Sequence, residues 1–221
     1  MPDISMPILY WPLLLLGAYL LGSIPFAQVL ARINRVDLRE VGSRNVGAGN
    51  LSREVGMGWG ALAAVLDGLK GFVPVWIARK AGLGLGAAGI AGLAAVLGHN
   101  WSIWLRGRSG RGLATSAGVL LGLDPVLLVW TAGWSIAGWK IGGGLGGFLG
   151  WGLLPIVAVA LGRPATESLV LLLLTVVLMA RRAQGNRDSP AGRGPVLWRM
   201  IHDNDRVEES FPDTVEDPLA S

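Results

Sequence analysis

Two stretches of the chain concentrate side chains and backbone suited to holding a phosphate. The first runs Val36-Asp-Leu-Arg-Glu-Val-Gly-Ser-Arg-Asn-Val-Gly-Ala-Gly-Asn50. Gly42, Gly47 and Gly49 let the backbone turn its N–H groups into a concavity of the kind that binds phosphate oxygens. Ser43, Asn45 and Asn50 add neutral donors, and Arg39, Arg44 and Arg53 add charge and forked hydrogen bonds. The second runs Arg106-Gly-Arg-Ser-Gly-Arg-Gly-Leu-Ala-Thr-Ser116. There Arg106, Arg108 and Arg111 stand among Gly107, Gly110 and Gly112, and an apolar helix carrying Thr115 follows directly. Cationic side chains, unpaired N–H groups and the positive end of a helix dipole together make an anion site. The spacing is not that of a Walker A loop, which ends in Lys-Ser/Thr. Taken singly, each stretch also fits a plainer reading: an ordinary turn for the first, an orientation-setting arginine cluster for the second.

Three further ionisable groups lie inside apolar sequence. Asp67 and Lys70 are spaced to share one helix face, and His99 precedes Asn100 at the end of an apolar run. Buried charges of this kind pair with one another or support a polar site. The chain has no cysteine, which excludes thiol catalysis, disulfides and thiolate metal sites. It has only two histidines, His99 and His202, so a histidine metal centre is not expected, and neither is a cofactor.

These residues must be positioned by membrane helices. Of 221 residues, 52% are hydrophobic and only 15% charged, against about 25% charged in a soluble domain. Mean hydropathy is +0.51. Apolar segments run from 8 to 31, 59 to 78, 84 to 105, 113 to 123, 125 to 139, 146 to 161 and 165 to 180. A hydrocarbon core needs roughly 20 helical residues, which the first three segments supply. The pattern predicts an all-α polytopic bundle of about seven helices, or five spans if residues 113–139 form one span or a re-entrant pair. Seven crossings place eleven Lys and Arg on one side, both loops included, and only Arg79, Lys80 and Arg163 on the other. The positive-inside rule then puts the N-terminus outside and both loops and the C-terminus in the cytoplasm. Residues 8–31 have no basic residues before them and read as a retained helix rather than a cleaved signal. The net charge of +4 hides an acidic end, with one Arg and seven acids from residue 200 onward. Residues 1–182 therefore read as a transmembrane unit and 183–221 as an acidic cytoplasmic tail without fixed structure. Because the basic residues lie between apolar runs, nucleic acid is not an expected partner. The glycine cluster at 142–147 reads as a break or hinge.

In order and spacing, several blocks resemble the bacterial acyl-phosphate-dependent glycerol-3-phosphate acyltransferases. They are Gly22-Ser-Ile-Pro-Phe26, Val36-Asp-Leu-Arg39, Gly42-Ser43, Asn45-Val-Gly-Ala48 with Asn50, Asp67-Gly-Leu-Lys-Gly71, Gly98-His-Asn-Trp101 and Gly110-Arg-Gly-Leu-Ala-Thr115. The resemblance implies an enzyme of the bacterial inner membrane with its site at the cytoplasmic face. It would transfer an acyl group from acyl phosphate to the 1-hydroxyl of glycerol 3-phosphate, giving lysophosphatidic acid in the first step of phospholipid synthesis. By residue-to-residue match, Ser43, Asn45, Arg53 and Arg111 are the expected catalytic residues, with Arg111 where the family has a lysine. Gly42, Arg44, Gly47, Asn50, Arg108, Gly110, Gly112 and Thr115 are the expected phosphate contacts, with Asp67, Lys70 and His99 in support. Besides Arg111, four positions depart from the pattern: Arg44 replaces a glycine, Gly49 a threonine and Ser109 a glycine, and Ala183 stands where a histidine is expected if Asn186 is aligned. A positive φ is unfavourable for arginine, so the first loop is expected to differ locally at Arg44 or to send that side chain into the phosphate site. The departures also leave room for a descendant that binds phosphate or lipid without turnover.

Acyl phosphate already carries a good leaving group, so positioning and charge neutralisation matter more than a strong nucleophile. The residues fit direct attack by the glycerol hydroxyl with no acyl-enzyme. Arg111 and the backbone of 110–112 would hold one phosphate. Ser43, Asn45 and Arg53 would hold the other or polarise the carbonyl, with the acyl chain entering from lipid.

Overall fold

The computed structural model describes residues 10–184 apart from 108 and 142; Arg108 and residues 185–221 of the expected tail thus lie outside the described residues, while 183 and 184 belong to the last helix. Ten α-helices and one 3₁₀ turn are found among them, and no strand. Helices α1 (Tyr10–Ser23) and α2 (Phe26–Ile33) divide the first apolar segment at Pro25. Proline lacks the N–H that a continuous helix needs and pushes the preceding residue out of helical angles. The short helix α3 (Ala48–Glu54) follows within the first loop. Next come α4 (Met57–Lys80), α5 (Leu85–Asn100), the 3₁₀ turn Ile103–Leu105, and α6 (Leu113–Leu123). The remaining helices are α7 (Pro125–Ile141), α8 (Gly143–Gly152), α9 (Leu154–Ala160) and α10 (Ala165–Gln184). The change from α7 to α8 falls at the expected glycine cluster, with residue 142 between them.

One sequence alternative fails here. Residues 113–139 do not form a single helix, because Asp124 leaves helical angles at φ −147°. Its carboxylate caps α7 instead, Oδ1 accepting from the Val126 and Leu127 N–H groups at 2.9 and 3.4 Å. Two helical stretches of 24 residues, Tyr10–Ile33 and Met57–Lys80, are long and apolar enough to cross a membrane. The side-chain distribution is that of a chain solvated by lipid. Leu13, Leu16, Val65, Val129, Ile136, Val159 and Val176 lie exposed, while Asp67, Lys70, His99, Asn100 and Thr115 are buried. Such a large apolar exterior is foreign to a soluble monomer.

Small residues set how closely the helices approach. Helix α1 crosses α5 where Gly22 meets the Ala95 carbonyl and Gly98 meets that of Tyr19; a Cβ on either glycine would overlap the facing backbone. Helix α4 meets α6 in the same way, Gly71 against the Thr115 carbonyl and Gly118 against that of Gly68. Where burial against a neighbour gains little over burial in lipid, this backbone contact is what holds helices together. The result fixes the ends of α4, α5 and α6 beside one another, with both glycine-rich loops at that end.

Candidate phosphate-handling site

The first loop is folded around two polar side chains. The Asp37 carboxylate accepts from Gln28 Nε2 at 2.8 Å, from Arg32 Nη2 at 2.6 Å, and from Arg39 Nε and Nη2 at 3.0 and 2.7 Å. The Arg39 guanidinium beside it holds the Asp37 carboxyl well below the usual carboxylate range. The fork of Arg39 is thus committed to Asp37, which corrects the expectation that it donates to phosphate. Asn50 is the second organiser. Its Oδ1 accepts from the Ser43 N–H at 3.2 Å, and its Nδ2 donates to the carbonyls of Leu38 and Val41 at 3.3 and 3.2 Å. Both ends of its amide thus serve the loop itself, so Asn50 acts as a scaffold rather than as the expected phosphate contact. Gly42, at φ 53°, packs against Glu54 and Asn50 with no room for a Cβ.

Arg44 behaves contrary to expectation. It adopts φ 57°, and its N–H closes a turn to the Val41 carbonyl at 3.0 Å. A left-handed residue of this kind costs about 1–2 kcal/mol, which the Asn50 and Asp37 hydrogen bonds around it can offset. Arg44 is exposed and is not among the residues that line the cleft between the loops.

The second loop is braced from two sides. From α1, the Tyr19 hydroxyl donates to the Trp101 carbonyl at 2.9 Å, and Ser102 Oγ donates to the Ser23 carbonyl at 2.6 Å. From α10, Arg181 donates through Nη2 to the Ser109 carbonyl at 2.5 Å and through Nε to that of Gly110 at 3.1 Å. Gln184 Oε1 accepts from both Arg181 Nη1 and Trp101 Nε1 at 3.2 Å. The sequence offered Arg181 and Arg182 only as orientation signals. Their burial is a tertiary fact, and the one hint was their position where α10 returns to the level of the second loop. Arg182 Nη2 in turn donates to the Gly144 carbonyl near the start of α8.

Between the loops lies a cleft of about 150 Å³. The first loop and the start of α3 contribute Asn45, Gly47, Ala48 and Gly49; α4 and α5 contribute Asp67 and His99; the second loop and α6 contribute Arg111, Gly112, Leu113 and Ala114. Gly112 sits at φ 80° at the N-cap of α6 and supplies no capping side chain. The N–H groups of the first helical turn therefore lack intrahelical acceptors and open beside Arg111. Asn45 is 6% exposed, and its Oδ1 has no partner among the described residues.

Beneath the cleft is a buried ionic knot. Lys70 Nζ lies 2.7 Å from Asp67 Oδ1, 2.7 Å from the Ile24 carbonyl and 3.1 Å from His99 Nδ1. The Lys70 side chain is 1% exposed and that of Asp67 3%. The structure thus brings Asn45, Gly47, Arg111, Gly112, Asp67 and His99 together around one cavity. Ser43, Gly110 and Thr115 are buried but are not among its walls, and Arg53 is exposed on the last turn of α3.

Comparison with known proteins agrees with this architecture. The family model described as "Glycerol-3-phosphate acyltransferase" matches residues 12–188. A glycerol-3-phosphate acyltransferase of Thermus thermophilus is 44% identical over 179 residues, covering 77% of this chain and 83% of that protein. Glycerol-3-phosphate acyltransferase 1 of Deinococcus radiodurans is 40% identical over 186 residues, covering 81% and 92%. Among solved structures, the glycerol 3-phosphate form of PlsY, an integral membrane glycerol 3-phosphate acyltransferase, superposes with a TM-score of 0.74 at 33% identity, covering 79% of this chain and 89% of that one. Its lysophosphatidic acid form gives a TM-score of 0.72 at 32% identity, covering 78% and 88%.

Proposed function

Because this chain belongs to the glycerol-3-phosphate acyltransferase family, we propose that it transfers an acyl group from acyl phosphate to the 1-hydroxyl of sn-glycerol 3-phosphate. The products are lysophosphatidic acid and inorganic phosphate. The observation that carries this reading is the cleft itself, with Arg111 beside the uncapped start of α6 on one wall and the glycine-rich first loop on the other.

The cleft favours direct transfer. None of its described lining residues is a serine, threonine or cysteine, and its one carboxylate, Asp67, is paired with Lys70. The hydroxyl oxygen of glycerol 3-phosphate attacks the acyl carbon, the carbon–oxygen bond to phosphate breaks, and the hydroxyl proton leaves with the released phosphate. Arg111 and the first-turn N–H groups of α6 neutralise phosphate charge, which is the largest lever available for such a reaction. Asn45 orients the second ligand from the facing wall. Ser43 supports the cleft from its buried place in the first loop, Arg53 reaches in from the exposed last turn of α3, and the acyl chain approaches between apolar helices.

We assign this activity to residues 1–182, in the bacterial inner membrane, with the loop end of the bundle facing the cytoplasm. Support comes from the extent of the family match and from the arginine bias of the loops. The boundary expected at 182 moves outward, since α10 runs to Gln184 and the family match to residue 188; the acidic sequence beyond is assigned no part in the activity.

The test is turnover by the purified protein with palmitoyl phosphate and glycerol 3-phosphate, measured as release of phosphate together with lysophosphatidic acid. Binding of both ligands without either product would overturn the reading in favour of a family member that holds phosphate or lipid but does not react.

A further inference from the structure

The ionic knot beneath the cleft fixes more than the charge of its members. An ammonium group has three N–H donors and no acceptor. Lys70 Nζ is ion-paired with Asp67 Oδ1, donates to the Ile24 carbonyl and lies 3.1 Å from His99 Nδ1. Asp67 Oδ1 also faces His99 Nδ1, but at 3.7 Å it lies farther from it than Lys70 Nζ at 3.1 Å; with the nearer ammonium as donor, Nδ1 is the bare nitrogen. The imidazole must then be neutral, since an imidazolium would set two donors against each other. Its single proton resides on Nε2. That nitrogen faces the junction of the two loops, where a Cβ on Gly110 would strike His99 Nε2 and come within 3.0 Å of the Val46 carbonyl. His99 also lines the cleft together with Arg111 and Asn45.

We propose that Lys70 locks His99 as the Nε2–H tautomer, and that His99 is a catalytic hydrogen-bond donor to the acyl carbonyl oxygen as negative charge develops on it. This rests on the acyl-transfer reading above and adds a residue to it. During transfer the acyl carbon lies between the phosphate that leaves and the phosphate-bearing substrate that attacks. A donor at the meeting point of two phosphate-handling walls is therefore placed for the carbonyl rather than for either phosphate. The proton stays on Nε2 throughout. Asp67 and Lys70 are positioning residues, acting through the imidazole. The glycine at 110 has a reason in the same geometry, since any side chain there would displace the donor.

Two measurements test this. The chain has only two histidines, so His202→Gln, which alters only the tail, leaves His99 as the sole imidazole for ¹⁵N NMR of the full-length protein. The expected spectrum shows a protonated Nε2 and a bare Nδ1, with the Nδ1 signal shifting in Lys70→Met. A protonated Nδ1 or an imidazolium would overturn the proposal. In kinetics, His99→Gln places an amide nitrogen near the Nε2 position, whereas His99→Asn places one near Nδ1. The expected kcat falls by about tenfold or less in the Gln variant and by about 10²- to 10³-fold in the Asn variant, with KM for both substrates unchanged. Equal losses in the two variants, or a loss confined to KM, would refute the role. Should the variants fail to fold, the NMR result on the native imidazole still decides the tautomer on which the role depends. If wild type itself does not turn over, the acyl-transfer reading fails while the tautomer remains measurable; if wild type turns over and the two variants match, only this inference fails.

Discussion

Arg111 and Asp37 show how differently two charged loop residues can serve one site. Arg111 lies in the cleft wall, where the first turn of α6 presents its N–H groups. Arg111→Ala is expected to lower kcat/KM by about 10²-fold or more, the usual loss when an organised donor to a reacting group is removed, while the melting temperature in detergent stays near that of wild type. Arg111→Lys keeps the charge and loses only the fork, so it should retain most activity; equal loss in both variants would show that charge is not what matters. Asp37 acts at a distance from the ligand, through Arg32, Arg39 and Gln28. Its carboxyl is held below the usual range chiefly by the hydrogen bonds from Arg39. A depressed carboxylate contributes stability that is complete above the unfolded pKa and is lost as pH falls through the folded one. Hydrogen-exchange protection in the first loop, corrected for the intrinsic pH dependence of amide exchange, should therefore hold steady from neutral pH down through the ordinary carboxylate range and fall only in stronger acid, whereas Asp37→Asn should lower it already at neutral pH. Protection that falls with the ordinary titration of an aspartate would contradict the pairing. Sequence reasoning located both residues in the right loops. It could not tell the arginine that lines the cleft from the arginine that folds the loop, because only the fold shows that Arg39 reaches Asp37.

At the scale of elements, most boundaries were legible because glycine, proline and charge mark them. The run 113–123 emerged as α6 with the same limits, but segments 8–31 and 146–161, read as continuous, are each broken in two, at Pro25 and just before Pro155. Helix α3 was not legible, since Ala48–Glu54 carries no apolar period and is held by Asn50 and by packing on α4, where Gly60 meets the Ala48 carbonyl. The brace from α10 was also missed. Arg181 reaches backbone carbonyls of Ser109 and Gly110, and no sequence pattern announces a contact between a helix end and a loop some seventy residues away. Its removal tests how far the second loop depends on it. Arg181→Met leaves two buried carbonyls without donors, and hydrogen bonds to charged groups contribute about 1.5–3 kcal/mol each. The expected result is weaker binding of phosphate substrates, seen as a raised KM, with partial recovery in Arg181→Lys. An unchanged KM in Arg181→Met would mean that the bonds from Tyr19 and Ser102 hold the loop unaided.

For the molecule as a whole, the two ends of the bundle carry different duties. One end holds the cleft. At the other, Arg163 Nε pairs with Asp124 Oδ2 at 2.6 Å and Arg79 Nη1 donates to the Gly122 carbonyl at 2.6 Å, with Glu167 buried in the first turn of α10. This network joins the ends of α4, α6 and α7 and the connection that precedes α10. Along α4, Asp67 and Arg79 are separated by about 18 Å at 1.5 Å per residue. The helices between them meet through close backbone contacts at Gly71 and Gly118, and the far network is expected to serve stability rather than the cleft. Asp124→Ala removes the partner of Arg163 and the cap of α7; loss of such a cap alone costs about 1–2 kcal/mol. The variant should therefore melt at a lower temperature in detergent while its KM for glycerol 3-phosphate, measured well below that temperature, remains that of wild type. A shift in KM at full occupancy of the folded state would show that the bundle transmits strain from the far network to the cleft, and that its helices do not divide stability from catalysis.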